Sequence, residues 1–186
     1  RFDYLVSMSG PSRGLQAWAK DHLSADDPRL KEKYVLGDVN ATLIKTVNGK
    51  TIYLVHDCNL PRPYSRINTL QGTKGIVTGY PDRIHIDGRT SGHDWETLDA
   101  YREEFVHPLW KQVDVKNAKD GHGGMDFLES QRFIKCLREG LPLDMDVYDA
   151  AAWSVLCELT EQSVAKRSSA VDVPDFTRGR WKTTAP

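Results

Sequence analysis

The sequence has little cysteine, no long apolar run, no excess of either charge and no nucleotide-binding glycine fingerprint. Each lack removes a class of protein. Cys58, Cys136 and Cys157 are the only cysteines and form no CxxC pair; an odd number at these spacings builds no complete disulfide framework, so they read as inert thiols. No apolar stretch approaches the ~20 residues that a membrane-spanning helix needs. Lysine plus arginine (25) nearly balance aspartate plus glutamate (26). The basic residues are scattered among the acidic ones, so no stripe can neutralise a phosphate backbone, and nucleic acid is not an expected partner. A strand followed by glycines that open a helix, the unit that seats a pyrophosphate on free N–H groups, is not evident either. What remains is 186 residues, 39% hydrophobic and 27% charged, which fits one globular domain with a real core.

Periodicity assigns the elements. Phe2, Tyr4, Val6 and Met8 alternate as a strand does from the first residues. The chain is therefore expected to begin at the edge of an element, as a piece of a longer protein whose export signal, if any, lies upstream. A breaker cluster at 9–14 precedes a short helix over 15–22. Val39 to Val47 and Lys50 to Cys58 are β-rich and flank Asn48-Gly49, which suggests a two-residue type I′ hairpin. That turn would set Leu43 opposite Leu54 and Ile44 opposite Tyr53, and would put Ile44, Tyr53 and Val55 on an open face. Strands are also expected over 66–71, 75–80 and 83–87, all within one larger sheet. Trp95 to Trp110 reads as helical in its first half. A helix over 125–139 should stop at Gly140, with Pro142 beyond, and Asp146 should cap a last long helix. Val171 to Pro186 has no period and is expected to wrap the surface, pinned by Phe176 and Trp181. Strands first and helices afterwards argue for an α+β fold: an open-faced, largely antiparallel sheet with helices on one face.

Few residues suggest chemistry unaided. Gly121-His122-Gly123-Gly124 before a helix could present donors to an anion, although a tight turn explains it as well. Ser163-Val164-Ala165-Lys166 matches the S-x-x-K of penicillin-binding enzymes without their companion motifs, and reads as coincidence. His56-Asp57, His85-Ile86-Asp87 and His93-Asp94 have ligand chemistry but no known ligand spacing, so no metal is expected and His56 should pack. Arg62-Pro63-Tyr64 differs from these: prolines stiffen a loop that projects an arginine and a tyrosine, the groups that meet sugar hydroxyls.

Five segments carry a family likeness: Phe2–Ser9, Arg62–Ser65, Gly121–Asp126, Leu141–Asp149 and Pro174–Gly179. Together, and in this order, they resemble glycoside hydrolase family 109, a branch of the glucose-fructose oxidoreductase and inositol dehydrogenase (Gfo/Idh/MocA) superfamily. Gly72-Thr73-Lys74-Gly75 is similar to that superfamily's strand connection. The resemblance implies that residues 1–186 are a C-terminal substrate-binding and oligomerisation domain, with a Rossmann NAD-binding domain lying outside this chain. It implies an α-N-acetylgalactosaminidase that keeps NAD bound and recycles it. Hydride leaves C3 of the sugar, the ketone acidifies the C2 proton, the aglycone is eliminated, water adds and hydride returns. The family's cofactor motifs and its Tyr-Pro-Thr-His catalytic stretch belong upstream of residue 1. No catalytic residue is thus expected in this chain, which alone should be inert. Tyr64 matches a family tyrosine that contacts the sugar, with Arg62 and His122 as pocket neighbours. The implied partners are terminal N-acetylgalactosamine and further copies of the chain through the open sheet face, and a periplasmic or exported location is implied.

Two rival readings stay open: the C-terminal domain of a plain sugar oxidoreductase, and a non-catalytic interaction domain. A Tyr-Pro-Thr-His stretch upstream would favour the glycosidase over both.

Overall fold

The computed structural model describes residues 1–57, 59–112 and 122–183. In chain order these form β1 (Phe2–Ser9), α1 (Gly14–His22), β2 (Val39–Thr46), β3 (Thr51–Asp57), β4 (Thr69–Gly72), β5 (Gly75–Thr78), β6 (Arg83–Ile86), β7 (Glu96–Thr97), α2 (Arg102–Phe105), α3 (Pro108–Gln112), α4 (Met125–Glu139), α5 (Val147–Ala165) and β8 (Val171–Asp172). The fold is α+β and every strand pair is antiparallel. The single larger sheet expected from the strand signals is instead two four-stranded sheets, ordered β3-β2-β1-β8 and β4-β5-β6-β7. They belong to two compact units, Arg1–Pro61 with Asp144–Pro186, and Arg62–Leu143.

In the first unit α5 covers one face of the sheet. Leu5 and Ile44 are fully buried and cluster with Leu159 and Val173, while Phe2, Val155, Leu156 and Val171 close the edges. Burying each such side chain contributes about 1.5–3 kcal/mol. Asp146 starts α5 as expected: its carboxylate accepts from the N–H groups of Tyr148 (2.7 Å) and Asp149 (3.1 Å), and Asp149 accepts from the N–H of Asp146 (3.0 Å). Beside the apolar cluster lies a polar layer, in which the Ser7 hydroxyl bonds Asn40 Oδ1 (3.0 Å) and Thr42 Oγ1 (2.9 Å). The tail does not merely wrap the surface, since Val171–Asp172 joins β1 as an edge strand.

The β2–β3 hairpin has a different turn from the one expected. The Gly49 N–H donates to Thr46 O and the Thr46 N–H to Lys50 O, both at 2.9 Å. Of the turn residues, Gly49 alone has a positive φ (+83°). This is a three-residue loop closed by a left-handed glycine, so Asn48 need not leave ordinary backbone space. The extra residue shifts the register by one: Leu43 faces Tyr53 and Ile44 faces Ile52. A one-residue slip exchanges faces. Ile44, expected on the open face, therefore lies under α5, whereas Tyr53 and Val55 stay on the open face with Leu43, Val6 and Met8. The alternating set of β1 also points away from α5 from Tyr4 onward. Phe2 reaches the core because the register shifts between Phe2 and Tyr4.

In the second unit, Leu70, Val77 and Ile84 stand in one cross-strand row. Residues 95–110 start as strand β7 rather than helix, because Glu96 accepts from the hydroxyls of Thr90 (2.7 Å) and Tyr101 and is held beside β6. Helix α4 ends as read, at Gly140 in left-handed geometry.

Candidate functional site

The loop from Leu60 to Asn68 carries no regular structure, and Pro61 and Pro63 fix its backbone. Tyr64 projects from it with 71% of its surface exposed, so it is not a packing residue beneath the loop. Its ring stands edge-on to Tyr80, with centroids 5.6 Å apart at 85°. The Nε of Arg66 donates to the Tyr64 hydroxyl oxygen at 2.8 Å, and that bond raises the guanidinium's affinity for its proton. Tyr80 belongs to the turn between β5 and β6, and the neighbouring Gly79 N–H donates to Asn68 O at 2.7 Å, tying the loop's end to that turn. Because Arg66 occupies one lone pair, the Tyr64 O–H proton is free to be given to a third group. The arrangement therefore offers an outward hydroxyl donor, guanidinium N–H donors and two ring surfaces, which together suit a polyhydroxylated ligand.

The other candidate residues are placed differently. Arg62 is exposed at the start of the loop. His122 has a left-handed backbone (φ +54°), and its Nδ1 is hydrogen-bonded to Asp126, 3.0 Å from each carboxylate oxygen. Tyr64 accepts from Arg66 and touches the Tyr80 ring, while His122 is bonded to Asp126, so no hydrogen bond joins Tyr64 and His122. Gly121 lies outside the described residues. Arg66 and Tyr80 were not singled out by sequence. Their only local signal is an arginine two residues beyond a proline-held tyrosine, and the partnership with Tyr80 exists only after folding.

Several alternatives have no chemistry to offer in the folded chain. Ser163 of the S-x-x-K match is completely buried and donates to Ser169 O at 2.7 Å. His56 is exposed rather than packed, and the Nδ1 of His85 is 2.9 Å from Asp94 O. Among the described residues no three His, Cys, Asp or Glu side chains converge as metal ligands. Among the same residues, no helix is long and apolar enough to cross a membrane. Cys136 is a buried free thiol and Cys157 an exposed one, while Cys58 lies outside the described residues. An apolar trough of about 550 Å³ follows the second sheet, lined in part by Leu70, Val77, Ile84, Leu98 and Phe105. Gln71, Lys74 and His85 also line it, but its surface is overwhelmingly apolar, unlike the mixed lining that sugar recognition uses.

Among the described residues no dinucleotide cradle is formed. The strand–glycine–helix passage from β1 to α1 has its helix start already capped. The buried Asp38 carboxylate accepts from the N–H groups of Arg13 (2.8 Å) and Gly14 (2.9 Å). A pyrophosphate would meet a fixed negative charge there instead of open donors.

The family model described as "Glycosyl hydrolase 109, C-terminal domain" matches residues 1–183. The chain belongs to glycoside hydrolase family 109. Among family 109 relatives, a protein of Solibacter usitatus is 52% identical over 187 residues, and one of Shewanella putrefaciens is 48% identical over 191. Both alignments take in 100% of this chain and 42% of the relative, so the chain spans less than half of each. Solved structures of a levoglucosan dehydrogenase share the fold. The apo form superposes with a TM-score of 0.61 at 18% identity, over 95% of this chain and 47% of the other. Its complex with NADH and L-sorbose gives 0.62 at 18%, over the same shares.

The family 109 segments quoted above perform mostly structural work here. Phe2–Ser9 is β1, and Leu141–Asp149 supplies the capping box of α5. In Pro174–Gly179, Asp175 accepts from the hydroxyl (2.7 Å) and N–H (3.1 Å) of Thr177, the Gly179 N–H (2.9 Å) and the Trp181 indole (3.1 Å). The Thr177 hydrogen bond, then that of Gly179 and the charge of Arg1, hold this carboxyl below its usual range despite opposing desolvation. Trp181 thus pins the tail through one carboxylate.

Proposed function

We propose that this chain is the sugar-binding and self-associating part of an NAD-dependent α-N-acetylgalactosaminidase. The observation that carries the reading is Tyr64, exposed on a proline-stiffened loop with its hydroxyl oriented by Arg66 and its ring braced by Tyr80. An ordered, exposed phenol with a spare proton is what a sugar hydroxyl or glycosidic oxygen can use. Arg62 and His122 are proposed as pocket neighbours. NAD would supply hydride transfer, held by parts of the protein outside these residues, where the catalytic acid and base are also proposed to lie. We further propose that a second copy covers the open face of the first sheet, where Tyr4, Met8, Leu43 and Tyr53 are each at least 40% exposed. A periplasmic or exported location completes the proposal.

The fold shared with a levoglucosan dehydrogenase favours one second reading, a sugar oxidoreductase. One assay separates the two. The full-length protein carrying this chain, given an aryl α-N-acetylgalactosaminide, should release the aryl alcohol repeatedly with no net accumulation of NADH. NADH formed in step with product would establish the oxidoreductase instead.

A further inference from the structure

The end of the second sheet that holds Tyr80 carries a second arginine, this one over an aromatic ring. The Arg83 guanidinium lies 4.3 Å from the centroid of Trp95, and its Nε donates to Thr78 Oγ1 at 3.3 Å. Thr69, Thr78, Arg83 and Thr97 form one cross-strand row. Tyr80 sits in the turn joining Thr78 to Arg83, so this single turn links the Arg83–Trp95 pair to the Arg66–Tyr64 pair.

The pairing of these two arginines differs from that of Arg89 and Arg102 in the same unit. Arg89 is matched by a two-pronged bond to Glu104 at 2.9 Å, and Arg102 by Asp99. Among the described residues neither Arg66 nor Arg83 has a carboxylate partner; their hydrogen bonds go to a phenol and a hydroxyl. Asp82, the acid of the intervening turn, lies beside Gly79 and forms no ion pair with either arginine. Each guanidinium is held through Nε, which leaves its two outer Nη groups, the pair that grips a carboxylate or sulfate end-on, without an anion. Around them Tyr64, Tyr80 and Trp95 are all more than 40% exposed, and such rings supply apolar surface for a pyranose.

We propose that Arg66 and Arg83 form a subsite for an acidic sugar, one bearing a carboxylate or a sulfate, next to the residue that Tyr64 contacts. The subsite rests on the reading of Tyr64 as sugar-binding and adds to it the charge of the neighbouring unit. A neutral glycan would leave both guanidiniums unmatched. An acidic one gains charge-assisted hydrogen bonds that weaken with added salt.

The test is calorimetric titration of this chain with three probes: N-acetylgalactosamine, its 6-O-sulfated form, and N-acetylgalactosamine carrying a sialic acid. The subsite requires at least one acidic probe to bind about tenfold or more tighter than the neutral sugar, with the gap narrowing at high salt. Preference for the sulfated or for the sialylated probe identifies which anion is taken. Arg66→Gln and Arg83→Gln should each reduce that preference several-fold. Should either variant lose its fold, the salt-dependent preference of the unaltered chain still decides. Equal affinity for acidic and neutral probes, no binding of either acidic probe, or a preference that survives in the double variant overturns the subsite. Activity of the full-length protein on a neutral aryl galactosaminide is measured separately, so failure of the subsite and failure of the glycosidase reading give different results.

Discussion

The backbone N–H of Ser7 donates to the side-chain oxygen of Ser163 at 2.9 Å, in a fully buried bond between β1 and α5. β8 pairs only with Tyr4 and Leu5, so the edge of β1 beyond it would be left without an acceptor. Ser163 supplies that acceptor and donates its own O–H to Ser169 O. Ser163→Ala removes both bonds inside the core and should destabilise the chain by about 1–3 kcal/mol, the cost of a buried polar group left unsatisfied. Urea denaturation measures it. An unchanged midpoint would mean that the two groups find other partners.

The turn at 46–50 makes a paired forecast. Gly49→Ala should cost about 1–2 kcal/mol, because its φ of +83° is unfavourable for any residue with a Cβ. Asn48→Ala should stay within about 0.5 kcal/mol, as expected of an exposed site with ordinary backbone. A two-residue type I′ turn would make both substitutions costly, so thermal denaturation of the two variants distinguishes the turns.

Acid should weaken the fold through Asp175 and Glu96. The carboxyl of Asp175 is held low chiefly by the Thr177 hydrogen bond, and that of Glu96 by those of Tyr101 and then Thr90. A carboxyl whose folded pKa lies below its unfolded value contributes stability that is present above the unfolded value of about 4 and is lost as pH falls through the folded one. Stability should therefore decline from about pH 5 downward. Asp175→Asn should be less stable at neutral pH and show a shallower acid slope. Identical slopes in the variant and the parent chain would remove Asp175 from the effect.

Much of the fold was legible because its signals are local. Asp146 and Gly140 marked helix ends through groups one to three residues away, and the structure places those ends as read. The hairpin register was missed because Asn-Gly satisfies a two-residue turn as readily as Gly49 alone satisfies a three-residue one. The choice is fixed by which face α5 buries, a contact more than a hundred residues distant. The division into two sheets was also hidden, since strand patterns record alternation but not partners. In the site, Tyr64 stood out on its proline loop. Arg66 did not, because its role is a hydrogen bond to the tyrosine and has no sequence period.

With α1 capped by Asp38, the chain is expected not to bind NAD. Asp38→Asn keeps the hydrogen-bond geometry, removes the charge and should still not create a site, since the rest of a pyrophosphate cradle is not built there. Calorimetric binding of NAD in the micromolar range to either form would contradict this account.

The most direct test is Tyr64→Ala in the full-length protein carrying this chain, with kcat/KM on an aryl α-N-acetylgalactosaminide and the melting temperature measured on the same preparation. Tyr64 is largely exposed and its bonds stay within the loop and the neighbouring turn, so the melting temperature should barely move. Loss of a hydrogen bond made to the reacting sugar should lower kcat/KM on the order of 10- to 100-fold. Unchanged kinetics, with or without a lower melting temperature, would remove Tyr64 from the site and contradict the assignment of sugar binding to this loop.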